Sequence, residues 1–340
     1  MGGRVGAWAG ADASSLEPHS LRGVTKPPMS SELPAPRRTL DIEMPDGAHI
    51  VARVHGNPKG DRLMMSHGNG FAIDAYAPFW QRFTDEFEVV VYDLRNHGRN
   101  PRFGSPGHHI EGFVGDLDHL LAEIPARLGE RRTAGLYHSV SGITAMTHAV
   151  TLNHGKPFPW DALVLFDPPF VPSAGHELHE MAQTMELLLA NWAMARPNHF
   201  DSPEALAKQF GSARGLSRWI AGAHGAMARA VLCEDGEGGW QLACPRELEA
   251  AAYVANAYSR LWSLLPRLTA HAEKVLLVCS DPDIKDARSP AFAGKAAAET
   301  FGLQRVAIPE TTHLLQIEKP EACARAACDF LKRLGFGGAA

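Results

Sequence analysis

The chain has 340 residues, 45% hydrophobic and 21% charged, with a formal net charge of −5. This is the composition of a globular protein with one large domain or a domain carrying an insertion. Charges of both signs are mixed along it, so there is no basic footprint for nucleic acid and no basic amphipathic segment for a membrane surface.

No apolar run approaches the ~20 residues of a membrane span, so no stable membrane insertion is expected. Residues 1–37 hold Gly, Pro, Ser and Ala without periodicity and are expected to be disordered. Met29 offers an alternative start, which would make residues 1–28 an upstream artefact. The N-terminus lacks the apolar stretch of a secretory signal. The five cysteines (Cys233, Cys244, Cys279, Cys323, Cys328) form no CxxC pair and read as reduced, mostly buried thiols, which leads to the expectation of a cytoplasmic protein.

Strand candidates follow at 39–44, 48–55 and 61–67, then a helix-like stretch at 75–84 and a strand at 87–93. The unbroken "VVV" in that last strand suits burial on both faces. Residues 112–129 carry helical spacing at Leu117, Leu120, Leu121 and Ile124. A strand at 133–138 runs into a helix over 140–153, and another strand follows at 161–167. Residues 168–268 break the alternation with largely helical patterns. It returns with strands at 274–281 and 303–310, a helix near 290–301, and a last helix opening at Pro320.

Strand-helix alternation with apolar strands predicts a mostly parallel α/β sheet, with 38–167 and 269–340 as its core and 168–268 as an inserted helical cap. Such sheets hold ligands at the carboxyl ends of their strands. Four loops there carry chemistry.

The first is "YHSVSG" (137–142). Ser139 on a sharp strand-to-helix turn would be thrust out of the sheet, provided its neighbours at −2 and +2 are small. Ser141 meets that need at +2; Tyr137 does not at −2. Ser141 is the poorer nucleophile, because Ile143 would fill its own +2 position. A plain turn with helix-capping serines is the bland alternative. The second is "SHGNG" (66–70), whose backbone N–H groups can turn toward a developing oxyanion. The N–H of Asn69 is the choice there, paired with that of Val140. The third is "CSDPDIKD" (279–286), with Asp281, Asp283 and Asp286. One carboxylate must orient the imidazole. Asp283 is preferred, Asp281 can instead shape the turn, and Asp167 in "LFDPPF" is the rival acid. The fourth is "ETTHLLQIEKPE" (310–321), where His313 can take and return the serine proton.

The blocks "HGNGF", "YDLRNHGRN", "YHSVSG" and "THLLQIEKPEA", in this order, resemble the α/β-hydrolase superfamily over residues 39–335. They are similar to its lipase- and esterase-like members with a helical cap. The resemblance implies a mostly parallel eight-stranded sheet flanked by helices. It implies Ser139 as nucleophile, Asp283 as acid, His313 as base, and Asn69 and Val140 as the oxyanion hole. Three positions depart from the pattern: Tyr137, Asn96 and Ser141 stand where glycines are usual, and the sequence offers no physical reason for the tyrosine.

The expected activity is a serine hydrolase that cleaves a carboxylic ester or related acyl compound through an acyl-enzyme. No cofactor or metal is implied. "HELHE" (176–180) lacks HExxH spacing, and "HH" (108–109) sits in a Gly/Pro-rich loop. A serine at the elbow argues against the aspartate-nucleophile epoxide hydrolases and dehalogenases of this fold. A carbon-carbon bond hydrolase or a cofactor-free haloperoxidase would keep the same triad, and a small-molecule receptor would keep only the fold. Cap residues Phe170, Met181, Met185, Leu188, Trp192, Phe210, Trp219 and Trp240 suggest an apolar pocket for a small hydrophobic acyl or ester substrate, although most can simply hold the cap together. Interfacial lipase action is less supported, since no exposed apolar surface helix is visible in the pattern. Oligomeric state is not readable.

Overall fold

A computed structural model describes residues 33–284 and 289–337. The expected N-terminal extension therefore lies outside the described residues up to position 32. The strands are β1 (Arg38–Glu43), β2 (His49–Gly56), β3 (Arg62–Ser66), β4 (Glu88–Tyr92), β5 (Thr133–His138), β6 (Ala162–Phe166), β7 (His199–Phe200), β8 (Leu232–Glu234), β9 (Trp240–Leu242), β10 (Val275–Cys279) and β11 (Gln304–Ala307). The helices are α1 (Ala77–Trp80), α2 (Ile110–Leu128), α3 (Val140–Val150), α4 (His179–Ala195), α5 (Pro203–Ser212), α6 (Ala223–Val231), α7 (Arg246–Ala257), α8 (Leu261–Leu264), α9 (Ala291–Phe301), α10 (Leu315–Glu318) and α11 (Pro320–Arg333).

Eight strands form one sheet in the order β1-β2-β4-β3-β5-β6-β10-β11. β2 pairs antiparallel with both β1 and β4, and the remaining pairs are parallel. Side chains alternate between the two faces. Met64, Val90, Leu163, Leu165 and Leu277 feed one apolar cluster, while Leu63, Met65, Val89, Val91, Val164 and Val278 feed the other. The uninterrupted apolar runs of β3 to β6 are thus explained by burial on both sides.

Chain order reverses between β3 and β5, which are hydrogen-bonded neighbours. Ser66 pairs with Tyr137, and His138 with Phe166, so the carboxyl ends of β3, β5 and β6 finish level. This is the switch point at which open α/β sheets form their ligand crevice.

Between β6 and β10 the chain builds α4 to α8 and a small sheet, β7-β9-β8. The small sheet adds strands to a stretch expected to be largely helical. Its strands are two or three residues long, too short to leave a period-two signature in the sequence. The insertion shares the sheet's core: Phe200, Leu206, Phe210, Trp219 and Met227 belong to the same apolar cluster as β3 and β4. Ala190, Ala193 and Ala250 form a small separate contact between α4 and α7. Met181, Leu188 and Trp192, expected to line a pocket, instead lie exposed on α4, which does present apolar surface to solvent. No helix among the described residues is long and apolar enough to cross a membrane.

Candidate active site

The turn from β5 into α3 puts Ser139 at φ 55°, ψ −121°, a strained conformation for a residue with a side chain. The Ser141 hydroxyl helps to hold it. It donates to the carbonyl of His138 (2.8 Å) and accepts from the His138 N–H (3.0 Å). The serine at +2 is therefore a clasp as well as a small residue.

The tyrosine at −2 also has an account. Tyr137 is fully buried, beside Tyr92 and Trp160. Residues 135 and 137 face the same side of β5. A Cβ on Gly135 would sit 2.5 Å from Tyr137 Cε2. The room that a glycine at −2 normally leaves is supplied two residues earlier, and the ring folds back into it.

Asn96 takes φ 60°, in the left-handed region that asparagine tolerates better than most residues. Its Oδ1 accepts from the N–H groups of Phe103 (2.7 Å) and Gly104 (2.9 Å), and its Nδ2 donates to Gly104 O (2.8 Å). A glycine could make none of these bonds.

His313 follows β11 on the loop into α10. Its Nε2 lies 3.0 Å from Ser139 Oγ and its Nδ1 lies 3.0 Å from Asp167 Oδ2. With Nδ1–H donating to the carboxylate, Nε2 is free to accept the serine O–H. Thr312 steadies this loop by donating through N–H (2.6 Å) and hydroxyl to the Glu318 carboxylate.

The carboxylate partner of His313 corrects the choice of Asp283. Asp167, the rival, ends β6 at φ 46° and is 1% exposed. Its carboxylate also accepts from Ser280 N–H (3.0 Å), Ser280 Oγ (2.8 Å) and Ser289 Oγ (3.1 Å). Those donors offset the cost of burying its charge. Asp283 is exposed, and its N–H donates to Asp281 Oδ1 (2.9 Å). Asp281 Oδ2 accepts from Glu310 N–H (2.7 Å), so this aspartate shapes the turn. Asp286 lies outside the described residues. Ser280 and Ser289 were not singled out from the sequence; nothing marks two hydroxyls of the β10–α9 connection as neighbours of Asp167.

The turn after β3 presses against Ser139. A Cβ on Gly68 would sit 2.8 Å from His138 Nδ1 and 3.1 Å from Ser139 Cβ, so only glycine allows the approach. Asn69 follows directly, and Val140 follows Ser139 as the first residue of α3. The Asn69 side chain donates to Glu249 O on α7 (2.8 Å). Gly70, at φ +73°, packs so tightly on the Glu249 carboxylate that a Cβ would overlap it.

Buried histidines lace the surrounding loops together. His67 Nδ1–H donates to Gly68 O (2.7 Å), and its Nε2 accepts from Leu94 N–H (3.1 Å). His97 Nδ1–H donates to Arg95 O (2.9 Å), and its Nε2 accepts from Gly70 N–H (3.1 Å). Burial lowers their pKa to about 4 and about 3, so both work as neutral rings. His138 sits behind Ser139. Its Nε2 bonds the carbonyl of His313 (2.8 Å), which can only accept, so Nε2 carries the proton and Nδ1 accepts from Tyr76 O–H (2.9 Å). Burial holds His138 well below the usual histidine range. In the "HH" pair, His109 caps α2 by accepting from Gly112 N–H (3.2 Å), and His108 is buried beside Asn96.

A sheet whose order reverses at its centre, with a serine elbow after β5 and a histidine loop after the last strand, defines the α/β-hydrolase fold. The chain belongs to the alpha/beta hydrolase family, whose sequence model matches residues 63–326. It is also similar to the "Putative carbamate hydrolase RutD" of Caulobacter sp. strain K31, at 32% identity over 107 residues, and to its namesake in Caulobacter segnis, at 30%. Each match covers 31% of this chain and 38% of the relative, so the chain aligns with well under half of either protein. Among solved structures, E-2-(acetamidomethylene)succinate hydrolase superposes with a TM-score of 0.68 at 17% identity, covering 87% of this chain and 99% of that one. The enol-lactonase from Burkholderia xenovorans LB400 gives a TM-score of 0.57 at 18% identity, covering 86% and 100%. At such identities the likeness is one of fold.

Proposed function

We propose that this protein is a serine hydrolase acting on a carboxylic ester or related acyl compound. Ser139 Oγ attacks the acyl carbon while His313 Nε2 takes its proton. Asp167 holds the imidazole through Nδ1–H and stabilises the imidazolium that forms. The tetrahedral oxyanion is held by the N–H groups of Asn69 and Val140. His313 returns the proton to the leaving group, and water, activated by the same imidazole, cleaves the acyl-enzyme. The observation that carries this reading is the continuous line Ser139 Oγ–His313–Asp167, with both hydrogen bonds at 3.0 Å. Hydrolase neighbours that include an enol-lactonase, and relatives named for carbamate hydrolysis, support chemistry at an acyl carbon.

The test is intact mass after incubation with a fluorophosphonate probe. One adduct on the wild type and none on Ser139→Ala is the expected result. A folded wild type that takes no adduct would remove the activated serine and favour a small-molecule receptor on this fold.

A further inference from the structure

The cap carries polar groups that the reaction just described does not use. α7 turns one face inward, bearing Glu249, Tyr253 and Asn256, which are spaced four and three residues apart. One end of that face is fixed to the turn after β3, where Asn69 Nδ2 donates to Glu249 O. The other is fixed beside the Asp167 turn, where Asn256 Nδ2 donates to Pro169 O (2.9 Å). The face therefore bridges the two loops that flank Ser139. Arg196, at the end of α4, braces it through an ion pair with the buried Glu249.

α4 adds Glu186, 2% exposed. Burial pushes its carboxyl up to about 8, and the neighbouring Asn256 side chain opposes that only in part. Tyr253, half-buried on the same face of α7, packs against Ala190, Ala193 and Ala250, and burial pushes its phenol up. Three buried oxygens in this region have no hydrogen-bond partner: Glu186 Oε1, Asn256 Oδ1 and Asn69 Oδ1. Both asparagine amides donate through Nδ2 to backbone carbonyls, which fixes their Oδ1 atoms as acceptors. An orphaned buried acceptor destabilises the fold, because it has lost its bonds to water. A ligand that supplies donors offsets that cost.

We infer that Glu186 and Asn256 form a specificity subsite for a hydrogen-bond-donating group of the substrate, such as a primary amide, an amine or a hydroxyl, seated under the cap. The inference rests on the serine-hydrolase reading and deepens it. The preferred substrates are acyl compounds with a polar N–H or O–H end. Above about pH 8, where Glu186 is ionised, a carboxylate end is disfavoured beside it, and a purely aliphatic end leaves the acceptors unpaired. Sites built to hydrogen-bond a substrate group reject analogues that lack it far more strongly than apolar pockets reject a missing methylene.

The test compares kcat/KM for matched esters. One set carries the amide in the acyl chain: the 4-nitrophenyl esters of succinamate, glutaramate and adipamate. Each is measured against the ester in which isopropyl replaces the terminal amide and the ester in which carboxylate does. A second set carries the same ends on the alcohol of an acetate ester. Fluorophosphonate labelling of Ser139 is followed in parallel. We expect the wild type to prefer an amide end, in at least one set, on the order of 10-fold or more. Glu186→Leu should bring that preference to within about 3-fold without slowing the labelling, and Glu186→Gln, which keeps an acceptor oxygen, should restore part of it. Equal rates for amide and isopropyl ends in both sets, with normal labelling, would overturn the subsite and leave the hydrolase reading standing. A preference unchanged in Glu186→Leu would overturn it too. Absence of both labelling and turnover would overturn the two readings together.

Discussion

The loops beneath Ser139 and the cap above it treat buried polar groups differently. Beneath, His67, His97 and His138 each use both ring nitrogens, and Asp167 accepts from four donors. Above, Glu186 and Asn256 keep acceptor oxygens without partners, and Met181, Leu188 and Trp192 face solvent. Where buried polar groups are paired, as at these histidines and Asp167 though not at Asn69 Oδ1, they are rigid and keep their places before any ligand arrives. Partial satisfaction has a stability cost that a binding site offsets only when occupied. The lower region is built for fixed geometry and the upper one for selection.

The sharpest way to break the comparison is at the carboxylate. Asp167→Asn should lower kcat/KM for a cleaved ester by about 10⁴-fold, since the wrong histidine tautomer results. Asp283→Asn should leave it within about 2-fold, because exposed positions outside such networks tolerate change. The reverse result would move the acid back to the Asp283 loop.

The pH dependence of stability separates the regions next. The folded pKa values of His67 and His97, about 4 and about 3, lie below the usual 6.5. Above pH 6.5 both rings are neutral, folded or unfolded. As pH falls from there toward 3, the unfolded chain binds protons first, so stability drops by up to ~1.4 kcal/mol per pH unit for each ring. Glu186 has the opposite sign, because its folded value of about 8 lies above its ordinary 4.5. Its contribution is whole below 4.5 and is lost as pH rises toward 8. Urea titrations across pH should show both slopes, and Glu186→Leu should remove only the loss between pH 4.5 and about 8. If that loss is unchanged in the variant, its origin lies elsewhere.

Packing at the elbow comes third. Gly135→Ala forces a Cβ against Tyr137 and Leu163, an overpacking that should cost about 1–3 kcal/mol in chemical denaturation. The double variant Gly135→Ala, Tyr137→Gly should recover part of that loss if the ring is what the glycine accommodates. The smallest expected effect lies behind the nucleophile. His138→Phe removes the bond to the His313 carbonyl and should reduce kcat by about 10-fold with little change in KM, as expected of a positioning group. Tyr76→Phe, which leaves that bond intact, should do less.

Much of the core was legible because its signal is local. Apolar runs mark strands buried on two faces, and glycine and proline mark where they end. The four loops carrying Asn69, Ser139, the candidate acids and His313 were found in this way. The carboxylate partner of His313 was not, because Asp167 and Asp283 both follow apolar strands and differ only in what surrounds them. Ser280 and Ser289 surround Asp167 from loops more than a hundred residues distant in the chain. The cap was read least well. α4 has apolar residues on several faces, so its pattern could not say that Met181, Leu188 and Trp192 look outward, and the short cap strands left no pattern at all.

By itself, the sequence determined the alternation of strands and helices, the turns at the strand ends, and the serine and histidine on two of them, since each depends on residues close in the chain. Only the tertiary structure decided which aspartate meets His313, why Tyr137 fits, and where the cap leaves its acceptors open. Those are questions of which distant side chains share a buried space, and there the cost of an unpaired polar group and the exclusion of overlapping atoms select the arrangement.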